Sequence, residues 1–176
     1  MNSEFGIRNS EFHKYAIVAL GSNLGRSREA IQAGITHAKF ITNHPILRSS
    51  IWETTPVDCP SDSPKFLNAV VAFIPQKDET PETLLAKMQD LEKVFGRAPK
   101  KILNEPRPLD LDLIAFGTEI RSTPQLTLPH PRAHLRRFVL QPLAEIAPDL
   151  VLPGQTKTVA QLLAGLPDDG SCKKID

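Results

Sequence analysis

Four apolar runs rich in β-forming residues predict four short strands. They cover Tyr15–Leu20, Arg48–Thr54, Phe66–Ile74 and Leu109–Phe116. Three prolines, two aspartates and two serines lie between the second and third runs and predict an irregular loop over 55–65. We expect the two strands on either side of this loop to be antiparallel neighbours.

Capping residues and apolar periodicity predict two helices between these strands. Ser27 can cap a helix over residues 28–40, in which apolar side chains recur on one face. A second helix is expected to begin at Pro81 with Thr80 as its cap, to continue to about residue 95 and to stop at Gly96.

The last third of the chain is expected to be mainly helical. Ala133–Ile146 predicts a helix interrupted near Pro142, and a short helix is expected near Thr158–Ala164. The order strand, helix, strand, strand, helix, strand predicts an α+β fold with a ferredoxin-like split βαβ core, in which helices pack on an antiparallel sheet. Because no linker or internal repeat is visible, residues 14–176 are expected to form a single domain.

The first residues of the chain have the pattern of a cloning-derived remnant. The sequence Asn-Ser-Glu-Phe occurs at Asn2–Phe5 and again at Asn9–Phe12, and Glu-Phe is encoded by a common cloning site. We therefore interpret residues 1–13 as such a remnant and exclude them from the fold prediction.

Composition and charge are those of a globular protein with no general affinity for polyanions. Hydrophobic residues make up 40% of the 176 residues and charged residues 23%, with a formal net charge of +1. No nucleic-acid or membrane partner is therefore expected. The two cysteines provide neither a disulfide framework nor a zinc site. No apolar run approaches the roughly 20 residues that span a bilayer, and no signal peptide is visible, so a cytoplasmic location is expected.

The candidate chemistry is concentrated in the fourth predicted strand. Asp110 and Asp112 would share one face of this strand, with Cα atoms about 6.5–7 Å apart, because side chains alternate along a strand. Carboxylates at this spacing can reach a pair of metal ions, and Mg²⁺ favours carboxylates together with water and phosphate oxygens. Arg107 and an upstream basic cluster (Arg97, Lys100 and Lys101) would balance the charge of a triphosphate. Alternatively, the two acids belong to a half-exposed strand and simply face water.

Other segments are less specific and keep simpler alternatives. Gly21–Gly25 joins a strand to a helix, where backbone N–H groups often meet anions, although a plain tight turn is the favoured explanation. The basic stretch after Pro129-His130 is either part of a phosphate site or a surface turn. Phe66 and Asn68 could share one pocket on the third strand, although Phe66 alone also fits a core position.

Together these segments resemble the 6-hydroxymethyl-7,8-dihydropterin pyrophosphokinase family, from about Tyr15 to about Leu163. The most specific match is the signature Pro-Arg-x-x-Asp-Leu-Asp-Leu-Ile at Pro106–Ile114. Supporting matches, in the order of the family, are Gly21–Gly25, Thr55-Pro56, Phe66–Ala69, Phe95–Arg97, and Pro129-His130 followed by Arg136 and Phe138.

The resemblance implies transfer of diphosphate from ATP to the hydroxymethyl group of 6-hydroxymethyl-7,8-dihydropterin, with release of AMP, in folate biosynthesis. It implies two Mg²⁺ ions bound by Asp110 and Asp112, which would be catalytic together with Arg97 and Arg107. The implied ATP-binding residues are Gln89, Glu92, Arg97, Arg107, Leu113, Thr127, His130 and Arg136. The implied pterin-binding residues are Thr55, Pro56, Val57, Phe66, Asn68, Asp110 and Phe138.

The sequence alone leaves three other functions open. A regulatory module of the same fold could bind nucleotide without turnover, and an RNA-binding module would expose aromatic residues on its sheet. The nearest alternative is a two-metal nucleotidyltransferase, which would release pyrophosphate from ATP instead of AMP. Some relatives are fused to a neighbouring enzyme of the folate pathway, so fusion or association with such enzymes is also expected.

Overall fold

The protein is described by a computed structural model that covers residues 6–57, 59, 61–99 and 105–176. Its strands are β1 (Ala16–Ser22), β2 (Leu47–Arg48), β3 (Trp52–Thr54), β4 (Phe66–Phe73), β5 (Asp110–Phe116), β6 (Arg121–Ser122), β7 (Thr127–Leu128) and β8 (Cys172–Lys174). Its α-helices are α1 (Ser27–Phe40), α2 (Pro81–Val94), α3 (Arg137–Ile146) and α4 (Val159–Ala164). Lys100 and Lys101 of the expected basic cluster lie outside the described residues.

The main sheet is antiparallel, with strands in the order β5-β1-β4-β3-β8 and with β2 also paired to β4. All seven residues of β1 are buried, as expected for a central strand. This strand extends two residues beyond the predicted end at Leu20, because Gly21 and Ser22 continue the pairing with β4. The predicted antiparallel contact between the second and third strands is confirmed by the pairing of β3 with β4.

Helices cover both faces of this sheet and create two hydrophobic clusters. On one face, residues of α1 and α2 such as Ile31 and Leu84 pack against Val18 of β1. On the other face, residues of α3 such as Leu140 pack against Ile17 of β1. Because side chains alternate along β1, this strand contributes residues to both clusters. Helices packed on both faces of an antiparallel sheet agree with the expected α+β class.

The second predicted strand is wrong as a continuous element, because it is divided into β2 and β3 around Ser49. The hydroxyl oxygen of Ser49 accepts a hydrogen bond of 2.9 Å from the Val70 N–H. The Ser49 N–H donates to the Val70 carbonyl at 2.9 Å. A side-chain oxygen thus replaces a backbone acceptor at this point, and the regular ladder is interrupted.

The predicted boundaries of the second helix are confirmed, whereas the predicted cap of the first is wrong. Thr80 accepts a hydrogen bond from the Thr83 N–H and Pro81 occupies the first helical position. Ser27, in contrast, is itself the first residue of α1, and Arg26 before it makes no side-chain capping bond. The hydroxyl oxygens of Ser27 and Ser22 instead lie within hydrogen-bond distance of each other, at 2.9 Å.

The predicted interruption near Pro142 is also wrong, since α3 continues through this residue. The break lies at Arg136, whose extended backbone separates a short 3-10 helix, Ala133–Leu135, from α3. Because Pro142 has no N–H, one carbonyl in the first turn of the helix lacks its usual partner. The ring of Pro142 is buried among the apolar residues of α3. Packing therefore outweighs one missing hydrogen bond.

The N-terminal residues contact the fold although the prediction excluded them. Ile7 and Phe12 are buried in the cluster beneath α3. The Asn9 side chain donates to the Asp149 carbonyl and accepts from the Val151 N–H, both at 2.8 Å. Their origin as a cloning-derived remnant stays a prediction, but this segment takes part in packing.

Candidate active site

A row of three residues crosses the sheet at the end of its central strands. Gly21 of β1 is paired with Asn68 of β4 on one side and with Asp110 of β5 on the other. A Cβ atom at Gly21 would lie 3.2 Å from Oδ1 of Asn68 and 3.8 Å from Phe66. The missing side chain therefore leaves open the space between a carboxylate and an amide.

This space is the floor of a cavity of about 420 Å³. Of the site residues predicted from the sequence, those that line it are Thr55, Val57, Phe66, Asn68, Arg97, Arg107, Asp110, Asp112, His130, Arg136 and Phe138. The cavity therefore brings together charged residues expected at the phosphates and residues expected at the pterin. Sequence reasoning did not single out Ala19, Thr54, Cys59 or Leu135, which line it as well, and Arg132 of the predicted basic stretch also lines it.

Asp110 is held between two arginines. Nη1 of Arg97 donates to Oδ1 of Asp110 at 2.9 Å. Nε of Arg107 lies 3.2 Å from Oδ2 of Asp110 but, although buried, has no hydrogen-bond partner among the described residues. Arg107 is thus close to its counter-ion with an N–H group unused, a costly arrangement that an anionic ligand can relieve.

Asp112 shares the cavity face of β5 with Asp110, as the alternation of side chains predicted. Its nearest basic partner is Arg136, at a long 3.9 Å between Nη1 and Oδ2. Burial, and then the charge of Asp110, raise the pKa of Asp112 to about 6. The charge of Asp110 thus makes Asp112 harder to ionise, and a cation beside both carboxylates would relieve this cost.

The donor set fits Mg²⁺ rather than a metal bound entirely by protein. No group of three or more histidine, cysteine, aspartate or glutamate residues within the described ranges could hold a metal ion. Two carboxylates with open space in front of them suit a hard cation that keeps water and takes phosphate oxygens as its other ligands. Asp110 and Asp112 could hold such an ion.

Each aromatic residue of the cavity is covered by an arginine. The guanidinium carbon of Arg107 lies 5.5 Å from the ring centroid of Phe66. That of Arg136 lies 5.3 Å from the ring centroid of Phe138. Both distances are within the range of cation–π attraction. The same two arginines therefore contact the carboxylates and the apolar walls.

The Gly21–Gly25 segment supports the Arg107 loop. The N–H of Asn23 donates to the Arg107 carbonyl at 3.1 Å, and its side-chain oxygen accepts from the Arg107 N–H at 2.9 Å. The Ser22 hydroxyl donates to the Pro108 carbonyl at 2.6 Å. Ser22 and Asn23 are buried, so this motif holds the backbone of Arg107 from the interior of the protein.

Asn68 and His130 are each fixed by one neighbour. Nδ2 of Asn68 donates to the Thr54 hydroxyl at 2.6 Å. Nδ1 of His130 accepts a hydrogen bond of 3.2 Å from the Arg132 N–H, which leaves Nε2 to carry the proton of the neutral ring. Burial, followed by the charges of Arg136 and Arg132, lowers the pKa of His130 to about 4, so the ring is neutral at pH 7.

Five predicted site residues do not line the cavity: Pro56, Gln89, Glu92, Leu113 and Thr127. Glu92 is buried in α2, where its carboxylate contacts Arg97 and accepts a hydrogen bond of 2.7 Å from the Leu111 N–H. Burial raises the pKa of Glu92. Leu113 is buried in the cluster of α1 and α2, so only its backbone could reach a ligand. Gln89 and Thr127 are exposed.

Residues 17–148 match the model of the family described as 7,8-dihydro-6-hydroxymethylpterin-pyrophosphokinase (HPPK). The chain belongs to this family. It is 38% identical over 154 residues to the 2-amino-4-hydroxy-6-hydroxymethyldihydropteridine pyrophosphokinase of Pseudomonas aeruginosa, with 87% of this chain and 92% of the relative covered. It is 35% identical over 159 residues to the folic acid synthesis protein fol1 of Schizosaccharomyces pombe, and the match covers 90% of this chain and 21% of fol1. The enzyme class that the sequence resemblance implied, and its place in folate biosynthesis, are confirmed.

Solved structures with this HPPK fold agree with the expected architecture. A crystal structure of HPPK-DHPS in complex with substrates superimposes with a TM-score of 0.68 at 11% sequence identity. The match covers 91% of this chain and 46% of that one, so this chain spans about half the length of the two-part protein. The ferredoxin-like α+β fold is confirmed. No helix in the described part of the chain is long and apolar enough to cross a membrane.

Proposed function

We propose that the cavity binds ATP with Mg²⁺ beside 6-hydroxymethyl-7,8-dihydropterin and transfers diphosphate to the hydroxymethyl group. The observation that carries this assignment is the row of Asp110, Gly21 and Asn68 across three neighbouring strands. It places an acidic site and an amide on opposite sides of an open floor. The two ends suit the two substrates, a metal-bound polyphosphate and a flat polar heterocycle.

Asp110 and Asp112 are proposed to hold two Mg²⁺ ions at the phosphate end of the cavity. When bound, the ions neutralise charge on the phosphate oxygens and help to fix the polyphosphate for in-line displacement. The raised pKa of Asp112 supports this role, since its charge is poorly compensated by the protein alone. The half-buried position of both side chains leaves their oxygens accessible from the cavity.

Arg97, Arg107 and Arg136 are proposed to contact the phosphate groups. Each of them lies within 4 Å of a carboxylate. Binding of ATP would let these guanidinium groups exchange carboxylate oxygens for phosphate oxygens, in bidentate contacts where geometry allows. His130 would add an uncharged N–H donor from Nε2.

The pterin is proposed to lie over Gly21, with its polar edge at Asn68 and its faces near Phe66 and Phe138. The amide of Asn68 offers both a donor and an acceptor, although one Nδ2 hydrogen is used by Thr54. Aromatic rings at offset-stacked or edge-to-face distances would fix the plane of the heterocycle. Thr55 and Val57 would form the entrance to this part of the cavity, with Pro56 between them in the chain.

The proposed reaction is an attack of the hydroxymethyl oxygen on the β-phosphorus of ATP. The new bond forms to the β-phosphorus, the bond to the bridging oxygen of the α-phosphate breaks, and AMP leaves with the electron pair. The hydroxyl proton is lost to solvent or to a nearby base, and no residue is assigned that role. Arginines aimed at the departing phosphate lower the barrier by stabilising its growing charge.

We also propose a class of partner and a location for the protein. Association with other folate-pathway enzymes is supported by the length of fol1, in which the matched region is a small part. A cytoplasmic location is the natural setting for the proposed substrates, and it stays a prediction.

The identity of the products tests the proposed function. The protein would be incubated with MgATP and the reduced pterin, and nucleotide products separated by ion-exchange chromatography. We expect AMP and diphosphorylated pterin in equal amounts, and no AMP when the pterin is omitted. Release of pyrophosphate or ADP instead would contradict the proposal and favour a nucleotidyltransferase or an ordinary kinase.

A further inference from the structure

The cavity contains a fourth arginine, Arg132, at its exposed rim. Its backbone is fixed on both sides, since its N–H donates to Nδ1 of His130 at 3.2 Å and its carbonyl accepts from the Leu135 N–H at 3.1 Å. The Cα position of Arg132 is therefore fixed near His130 and Arg136 in the chain, although the end of its side chain is exposed.

The charge of Arg132 is not balanced by a nearby acid. The other three arginines of the cavity each lie within 4 Å of Asp110 or Asp112. Arg132 forms no ion pair with any carboxylate in the described ranges of the chain. It therefore adds a positive charge to the rim that an anionic ligand could neutralise.

Arg132 lines the same cavity as Arg136 and His130, and its charge acts on both. Burial lowers the pKa of Arg136, and the charge of Arg132 lowers it further, ahead of the opposing effect of Asp112. The charge of Arg132 also contributes to the lowered pKa of His130. Two cations held side by side at the mouth of a cavity repel each other until an anion lies between them.

We propose that Arg132 is a further phosphate-binding residue, which contacts the phosphate chain of the nucleotide together with Arg136. This inference rests on the proposed function and names a residue of the same site. A guanidinium is suited to phosphate because it offers several N–H donors in one plane. Unlike the three inner arginines, Arg132 has no carboxylate to leave when the phosphate chain arrives, so its contact with the ligand needs no exchange of partners.

The test compares ligands that differ only in their phosphates. The protein would be titrated calorimetrically, in the presence of Mg²⁺, with the non-transferable α,β-methylene analogue of ATP, with adenosine, and with the pterin. The variants are Arg132→Gln, Arg132→Lys and the matched control Arg48→Gln. Arg48 is an exposed arginine of β2 that does not line the cavity, so its replacement removes the same charge elsewhere.

We expect Arg132→Gln to weaken binding of the ATP analogue about five-fold, the upper size of one charge-assisted contact at an exposed position. Arg132→Lys should recover part of this loss, and adenosine and pterin affinities should stay within about two-fold of wild type. The affinity of Arg132→Gln for the analogue should also fall less steeply with added salt. Arg48→Gln should behave as wild type.

An affinity of Arg132→Gln for the analogue within about two-fold of wild type would overturn the inference. An equal loss for adenosine or for the pterin would also overturn it, since neither carries a phosphate. The product assay separates this result from the proposed function. A wild-type protein that binds the analogue but releases no AMP would contradict the function, while the comparison of Arg132 variants would still decide the phosphate contact.

Discussion

The carboxylate of Glu92 in α2 accepts a hydrogen bond of 2.7 Å from the N–H of Leu111, the residue between the two site aspartates. Because β5 is an edge strand of the sheet, no second strand among the described residues pairs with this N–H. Glu92 also contacts Arg97, which in turn donates to Asp110. One buried acid thus fixes both the strand and an arginine of the site.

We expect Glu92→Gln and Glu92→Leu to differ sharply in stability. The amide of glutamine can still accept from the Leu111 N–H, whereas leucine leaves this buried donor without a partner at a cost of about 1–3 kcal/mol. Urea unfolding measures the difference. Both variants should lose activity, since Arg97 loses its ion pair with Glu92 in each and is held by Asp110 alone. Equal stability of the two variants would contradict a structural role for this hydrogen bond.

Replacement of either site aspartate by alanine is expected to abolish turnover while preserving the fold. Both side chains face the cavity rather than a hydrophobic cluster, so their loss removes metal ligands and no core atoms. The melting temperature should stay within about 4 °C of wild type, which corresponds to about 1 kcal/mol for a chain of this size. The measurements are AMP release and binding of Mn²⁺ with a nucleotide analogue. A variant with normal turnover in Mg²⁺ would rule out the metal assignment, and a collapse in stability would indicate a structural role.

Arg107→Ala should slow the chemical step more than it weakens pterin binding. Its unused N–H group and its position over Phe66 place the guanidinium between the two proposed substrates. Loss of a group that stabilises developing charge typically lowers the rate by about 100- to 1,000-fold. Single-turnover kinetics and pterin titration provide the two readouts. Arg121→Ala is the matched control, because Arg121 pairs with Glu82 and Glu119 and does not line the cavity. A normal rate with weakened pterin binding would reverse the assignment.

The features predicted from the sequence are those that depend on local alternation and spacing. Asp110 and Asp112 were placed correctly on one face because side chains alternate along any strand. The boundaries of α2 followed from Thr80, Pro81 and Gly96, whose backbone preferences act within one turn. These features need no information from distant parts of the chain.

The features that sequence reasoning missed depend on contacts between distant segments. Strand β8 contains two lysines and lacks an apolar pattern, and it is a strand because it pairs with β3. Ser49 interrupts the predicted second strand only because Val70 lies opposite. Gly21 is important to the cavity through the side chain it lacks, and this can be recognised only when Asn68 and Asp110 are placed beside it.

Asp112 should make the metal-free protein less stable at neutral pH than a neutral residue would. Its folded pKa of about 6 lies above the usual value of 3.8, so the folded state binds its proton more tightly than the unfolded state does. The corresponding stability is present below about pH 4 and is lost as the pH rises towards 6.

The stability of Asp112→Asn relative to wild type should therefore increase between pH 4 and pH 6 and then level off. The side chain is 37% accessible, so solvent screening should make the gain a fraction of what a fully buried group would give. Denaturant unfolding without metal at several pH values measures it. Saturating Mg²⁺ and ATP analogue should reverse the order by stabilising only wild type. A difference that does not change with pH would contradict the raised pKa.

The pterin end of the cavity can be tested separately from the phosphate end. Asn68→Leu keeps a similar size but removes the amide and leaves the Thr54 hydroxyl without its donor. We expect pterin binding to weaken by about 1–3 kcal/mol, the cost of one or two buried hydrogen bonds. The affinity for the ATP analogue should change far less.

Gly21→Ala tests the floor of the cavity without removing any polar group. The added Cβ would lie 3.2 Å from Oδ1 of Asn68, a close contact that a small shift of the amide can relieve, so we expect the fold to persist. The methyl group would nevertheless occupy the space proposed for the heterocycle and weaken its binding. Trp52 is the only tryptophan of the chain and is paired with Asn68, so its fluorescence can follow both titrations. Unchanged pterin affinity in both variants would place the heterocycle elsewhere, whereas parallel losses of pterin and nucleotide would indicate a damaged fold.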